Sequence, residues 1–259
     1  MEAKDLYIVI PAYNEEKTIG KVLSDLAAIR AANPSMIKKV IVVNDGSTDR
    51  TGEVASKHAN EVISLKKNMG KARAFWEGLK LCYKEKANVM VTLDGDLKGV
   101  SENQLRKLAE PLGKSGESIA EIKMVVGERK KELLSVLSGE RAFIVRYFKA
   151  LMIRRDWQEI LLRGGKRKGT HKKRTGAGLE IVLANYFREC WCTVPTAFEV
   201  GPATSERERY GRTNRDRRRF NAETARMIAI FKRREQMSKD LKGLRARTAK
   251  IRAARKNLK

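Results

Sequence analysis

The sequence predicts an α/β fold of three layers, with a mostly parallel central sheet between helices and a basic helical extension after it. Three observations carry this expectation. Four short apolar runs alternate with segments of helical period through the first hundred residues, and three of those runs stop at the polar clusters PAYNEE, NDGSTD and DGD. The chain has 259 residues, of which 42% are hydrophobic, enough to bury a sizeable core. Repeated β-α units of this length favour parallel pairing, because parallel neighbours need a crossover and a helix provides it.

Taken in order, LYIVI (6–10) is a short apolar run ended by Pro11 and reads as a buried strand. Ile19, Val22, Leu23, Leu26 and Ile29 then recur at helical spacing. VIVV (40–43) is a second strand, and the Ser, Thr and Asp of NDGSTD suit a turn that caps the next helix. VISL (62–65) is a third strand. After KKNMG, the residues Ala72, Phe75, Leu79 and Cys82 mark one helical face. VMVTL (89–93) is a fourth strand, ending in DGD.

Beyond residue 100, SENQLRKLAEPL starts with a capping-box pattern, Ser101 with Gln104, and reads as a helix. EIKMVVGE (121–128) reads as a strand and LSGERAF as the opening of an amphipathic helix. GGKRKGTHKKRTGAG (164–178) reads as a cationic loop that includes His171, GLEIVLANYF (178–187) as a helix, and CWCTVPTAFEV as a late strand. Ligands of open parallel sheets bind beyond the carboxyl ends of the strands, where the three polar clusters fall.

The composition narrows the functional classes. No run reaches the roughly 18 apolar residues of a membrane span, and MEAKD leads directly into the first strand, so no signal peptide is read. The Cys190-Trp191-Cys192 spacing suits neither a disulfide framework nor a zinc site, which points to a reducing, cytoplasmic setting. The net charge is +25, and its excess is concentrated in two places. Residues 206–259 hold 20 Lys and Arg against 6 Asp and Glu, and residues 154–174 hold 9 against 2. The expected division is therefore a globular domain over 1–205 and a basic helical tail over 206–259. Such a chain expects an anionic partner: a phosphate-bearing substrate, an acidic lipid surface or nucleic acid. The tail admits an anionic membrane surface or a solvated extension or oligomer contact, with nucleic acid the least favoured, since aromatic residues for base stacking are sparse there.

Asp94-Gly95-Asp96 follows the fourth strand. Residues two apart in extended backbone share a side, so both carboxylates can face one point, where two hard oxygen donors suit Mg²⁺ or Mn²⁺. A surface turn is the plain alternative for the same three residues.

VIPAYNEEKTIGKVL, VVNDGSTDRT, KNMGKARA and TLDGDLKG, in that order and at those strand ends, resemble the family 2 glycosyltransferases with the GT-A fold. LSGERAF, GAGLEIVLANYF and VPTAFEV…ERYGR resemble blocks of its dolichyl-phosphate or polyprenyl-phosphate mannose and glucose synthase branch; together the likeness covers about residues 6 to 212. It implies a nucleotide-sugar-binding half over 1–100 and an acceptor half over 101–205. It places Pro11, Tyr13 and Glu15 at the base and ribose, Asp45 at the base edge, and Asn68, Gly70 and Lys71 beside the sugar and diphosphate. Asp94 and Asp96 match the metal-binding motif, with Asp96 the more direct ligand and Asp94 also near the donor. Asp49 is read as a helix cap.

The resemblance further implies an inverting, metal-dependent transfer of a hexose from a UDP- or GDP-sugar to a polyprenyl phosphate at the cytoplasmic membrane face. A hydroxyl acceptor would need a general base, for which Glu140 and Glu180 are the candidates. An ionised phosphate acceptor would need only positioning, for which Arg141 and the cationic loop are suited. The plain alternatives are a Glu140–Arg141 pair at a helix start and a solvated Glu180. The chain departs from the branch at Gly95 and Lys98, in Ser135-Val136-Leu137 before the SGER block, and in the missing lysine after ERYGR. These departures bear on the acceptor more than on the donor. The alternatives are transfer to a small soluble acceptor, or a non-catalytic nucleic-acid-binding or scaffold protein on a degenerate transferase fold.

Overall fold

In the computed structural model the described residues are 4–114, 121–129, 139–153, 179–180, 183, 186–187 and 191–199. They belong to the first of two units into which the chain divides, Met1–Arg212 and Thr213–Lys259. The cationic loop and the basic tail lie outside the described residues.

The elements run β1 (Leu6–Ala12), α1 (Ile19–Ala32), β2 (Ile37–Asn44), α2 (Thr51–His58), β3 (Glu61–Ser64), α3 (Lys71–Lys84), β4 (Val89–Thr92), α4 (Glu102–Ala109), β5 (Met124–Arg129), β6 (Arg141–Ile144), a 3₁₀ turn (Val145–Phe148), α5 (Lys149–Ile153) and β7 (Trp191–Phe198). Among the described residues seven strands form one sheet in the order β3-β2-β1-β4-β6-β5-β7. Only β6 runs against its neighbours, β4 and β5; the other strand pairs are parallel.

Period two divides the core between the two faces of the sheet. Leu6, Ile8 and Ile10 of β1 pack with Val22, Leu23 and Leu26 of α1 and with Leu105 and Leu108 of α4. Val9, pointing the other way, meets α3 at Gly78. On that second face Phe75 of α3 makes edge contacts with Phe143 of β6 and with Phe148. The three-layer expectation is met. The capping box is also present, with Ser101 Oγ accepting from the Gln104 amide and Gln104 Oε1 accepting from the Ser101 amide.

One expectation fails. The sequence pattern of LSGERAF predicts the opening of a helix, but Arg141–Ile144 is a strand, with Arg141 opposite Thr92 on one side and Val126 on the other. The run Ala142-Phe143-Ile144 fills a gap in the ladder between two strands distant in sequence, and backbone pairing on both sides overrides the local pattern. The helical period begins only at Val145, which is buried with Phe148 and Leu151 three and six positions on. A Glu140–Arg141 pair at a helix start is thereby excluded, since Arg141 begins a strand.

The strand order reverses at β1. The chain steps from β1 outward to β2 and β3, then returns to place β4 on the other side of β1. That reversal opens a crevice at the carboxyl ends of β1 and β4. Pro11 contributes to it. Val9 accepts from the Leu93 amide on the β4 side, so the amide that Pro11 lacks would face the same side, where β4 has already left the ladder.

Candidate active site

The crevice holds most of the residues singled out in the sequence. Pro11, Tyr13, Glu15, Asp45, Lys71, Asp94 and Asp96 line one cleft, together with Ala12 and Ala74. A second, smaller gap adjoins it, lined in part by Lys71, Asp94, Gly139, Arg141, Leu179 and Glu180.

The loops after β1 and β2 are stitched together by their own polar groups. The Asn14 amide donates to Ser47 Oγ and the Thr48 amide to Asn14 Oδ1. The Glu15 amide donates to Thr51 Oγ1 at 2.7 Å. Asp49 accepts from the Thr51 amide at the first residue of α2 and from the Glu16 amide; the cap residue of α2 is Arg50, so Asp49 holds the helix start from one position before the cap. The polar letters of PAYNEE and NDGSTD therefore build the frame of the cleft as well as its lining.

Asp45 is almost fully buried and takes the Met69 and Gly70 amides, each at 2.7 Å, one on each carboxylate oxygen. Burial raises its pKa, and the two amide donors oppose that rise. This clamp fixes the 68–70 loop and so sets where α3 starts. Gly70 precedes the helix at φ +94°, a conformation that favours glycine. Asn68 is exposed on the rim of this loop and is not a lining residue.

Lys71, the first residue of α3, turns its ammonium into the cleft. Nζ lies 2.9 Å from Asp94 Oδ1 and 3.0 Å from Glu180 Oε1. Burial alone would lower its pKa, but the Asp94 and Glu180 carboxylates outweigh that effect and hold it above the ordinary lysine value. Glu180 is 4% exposed in its side chain and sits in helical backbone with Leu179.

Two glycines let carboxylates approach closely. A Cβ on Gly95 would overlap Glu15 Oε2, and a Cβ on Gly139 would overlap the Asp94 carboxylate. Thr92 Oγ1 donates to the Gly139 carbonyl at 2.8 Å, tying the segment before β6 to the end of β4. The sequence reading missed Gly95 and Gly139 as spacing residues. Their signal is a glycine beside an acidic cluster.

Arg141 is 1% exposed, and its Nη1 reaches Met124 Sδ at 3.7 Å. Its place in the adjoining gap brings it near Glu180 and Asp94. Glu140 is fully buried and lines neither space. Of the three expected catalytic positions, Arg141 and Glu180 therefore reach the site.

The family profile for glycosyl transferase family 2 matches residues 7–174. The chain belongs to this family. Among its relatives, human dolichyl-phosphate beta-glucosyltransferase is 36% identical over 115 residues, covering 40% of this chain and 35% of that protein. The dodecaprenyl-phosphate galacturonate synthase of Rhizobium johnstonii is 30% identical over 122 residues, covering 42% and 35%. The matched segment thus spans about a third of the length of these curated relatives. Among solved structures, glucosyl-3-phosphoglycerate synthase from Mycobacterium tuberculosis, in complex with Mn²⁺, UDP and glucosyl-3-phosphoglycerate, superposes with a TM-score of 0.59. It is 19% identical, with 87% of this chain and 78% of that chain covered. The likeness shows a shared GT-A fold. No helix among the described residues of this family 2 glycosyltransferase is long and apolar enough to cross a membrane.

Proposed function

We propose that this glycosyltransferase moves a hexose from a UDP- or GDP-sugar to a polyprenyl-phosphate-type acceptor with inversion at the sugar carbon, in a divalent-metal-dependent reaction at the cytoplasmic membrane face. The observation that carries the reading is a cleft at the strand-order reversal that gathers Asp94, Asp96 and Lys71 with Pro11, Tyr13, Glu15 and Asp45.

The donor set fits Mg²⁺ or Mn²⁺. Asp94 and Asp96 offer hard carboxylate oxygens in one cleft, and Gly139 leaves room for the Asp94 carboxylate. Among the described residues no group of three or more His, Cys, Asp or Glu is placed to hold a metal. Mg²⁺ commonly takes one or two carboxylates and completes its shell with phosphate oxygens and water. Asp94 and Asp96 would hold the cation, which when bound would neutralise charge gathering on the departing diphosphate. Pro11, Tyr13, Glu15 and Asp45 would line the nucleoside, while Gly70 and Lys71 lie towards the diphosphate. In the reaction the bond from the sugar carbon to the diphosphate breaks, a bond to an acceptor oxygen forms on the opposite face, and the nucleoside diphosphate leaves.

The carboxylates favour an anionic acceptor. Glu140 is fully buried outside both spaces, and Glu180, which lines the adjoining gap, is engaged by Lys71, so a phosphate acceptor that needs no base is favoured over a hydroxyl. An ionised phosphate needs no base, and Arg141 in the adjoining gap suits its positioning. The names of the human and Rhizobium relatives support the same acceptor class. Residues 206–259, the basic tail of the proposed two-part chain, would hold the protein to an anionic membrane surface.

Calorimetric titration with UDP-, GDP- and ADP-sugars, with and without Mn²⁺, tests the donor. Transfer of labelled sugar to a polyprenyl phosphate, compared with 3-phosphoglycerate, tests the acceptor. Transfer to 3-phosphoglycerate alone would replace the lipid with a soluble acceptor, and no binding of any donor to folded protein would overturn the reading.

A further inference from the structure

The Lys71 ammonium lies at the acidic end of the cleft, 2.9 Å from Asp94 Oδ1 and 3.0 Å from Glu180 Oε1. It comes from the first residue of a 14-residue helix, where the ends of the backbone dipoles also favour negative charge. Asp94 is 20% exposed and Lys71 27%, so this pair is shielded from water far more than a surface salt bridge. The arrangement gives one of the two acidic-motif carboxylates a cation belonging to the chain itself.

We infer that Lys71 is the resident counter-ion of the acidic motif, and that a divalent cation must compete with it for Asp94. The inference rests on the proposed nucleotide-diphosphate donor and deepens it. A divalent cation at Asp94 would share that carboxylate with an ammonium, and like charges repel strongly where water is partly excluded. A nucleoside diphosphate resolves the conflict. Its phosphate oxygens give Lys71 a new anionic partner, and the flexible lysine stem permits the shift away from Asp94. Glu180 acts as a positioning residue. Its nearly buried carboxylate, in the adjoining gap, would still hold the ammonium if Asp94 were taken by the metal. Metal and diphosphate then bind together far better than the metal does alone, and the coupling is reciprocal. The consequence is a site that ignores bare cations and admits them with the donor.

The test is Mn²⁺ binding to the full chain, followed by the paramagnetic resonance signal of the free ion, first alone and then with UDP or GDP. Wild-type protein is expected to bind Mn²⁺ alone weakly and to gain on adding the nucleoside diphosphate. Lys71→Met and Lys71→Gln are expected to bind Mn²⁺ alone at least about tenfold more tightly and to lose most of the gain, within the usual range of such couplings. Lys71→Arg, which keeps the charge, is expected to retain the weak affinity for the bare ion. Folded Lys71→Met and Lys71→Gln proteins that bind Mn²⁺ alone no more tightly than wild type overturn the inference. If the two variants gain Mn²⁺ affinity while wild type binds neither UDP nor GDP with Mn²⁺, the counter-ion stands and the donor reading falls.

Discussion

Gly139 sits directly against the carboxylate of Asp94, leaving no room for even one methyl group between them. The contact joins the segment leading into β6 to the acidic motif after β4, and Thr92 secures it by donating to the Gly139 carbonyl. Gly139→Ala should push Asp94 aside. The expected outcome is a stability loss of about 1–3 kcal/mol, typical of overpacking. Metal-dependent nucleotide affinity should fall by at least about tenfold, as expected when a preorganised ligand is displaced. Thermal unfolding and calorimetry check the two parts, and wild-type binding in the variant would refute the spacing role.

Asp96→Asn keeps the shape of the side chain and removes its charge. Metal-dependent transfer should drop by about 10²–10³ or more, the scale seen when a group stabilising transition-state charge is lost. Circular dichroism should remain that of wild type. Retained activity would sink the metal assignment.

Gly95 and Glu15 form a coupled pair, because a Cβ at 95 would overlap Glu15 Oε2. Gly95→Ala should weaken nucleotide binding, and the loss should be smaller when Glu15 is already alanine. A double-mutant cycle with an interaction term of about 0.5–3 kcal/mol is expected. Strict additivity would show that the two positions act independently.

Two groups contribute to alkaline stability in a definite direction. Burial pushes the Cys82 thiol up to about 12. Hydrogen bonds from Lys39 to Glu61 and Glu85 hold its ammonium up to about 12. In both cases the unfolded chain releases its proton first, from near pH 9.0 for the thiol and near 10.5 for the lysine. The contribution of each is complete below those values and is lost as pH rises towards 12, at up to about 1.4 kcal/mol per pH unit for each group. Denaturant titrations between pH 8 and 11 should show falling stability, and Lys39→Met should flatten the upper part of the curve. Peptide mapping after iodoacetamide at pH 8 should leave Cys82 unmodified in folded protein and alkylated in denaturant.

Ser101 carries a smaller, purely structural expectation. Ser101→Ala removes the capping box of α4 and should cost about 1 kcal/mol, leaving donor affinity unchanged. A shift in donor affinity would show that α4 is coupled to the cleft.

The sequence by itself determined the parallel half of this protein. LYIVI, VIVV, VISL and VMVTL are strands because each is apolar, short and stopped by turn residues, and the helices between them force parallel crossovers. The Ser101–Gln104 cap and the contact of Asp49 with the start of α2 were legible for the same reason, since their partners lie within a few residues or one loop. Pairings between distant segments were decided by tertiary structure. Arg141–Ile144 is a strand because β4 and β5 present open ladder edges on both sides, a condition that no local period records. The Asp45 clamp on the Met69 and Gly70 amides and the Lys71 bridge between Asp94 and Glu180 likewise join elements far apart in the chain. Residue types at strand ends announce that a site is present. Which carboxylate meets which cation depends on how the strands are ordered, and that order is fixed by burial and backbone pairing across the whole sheet.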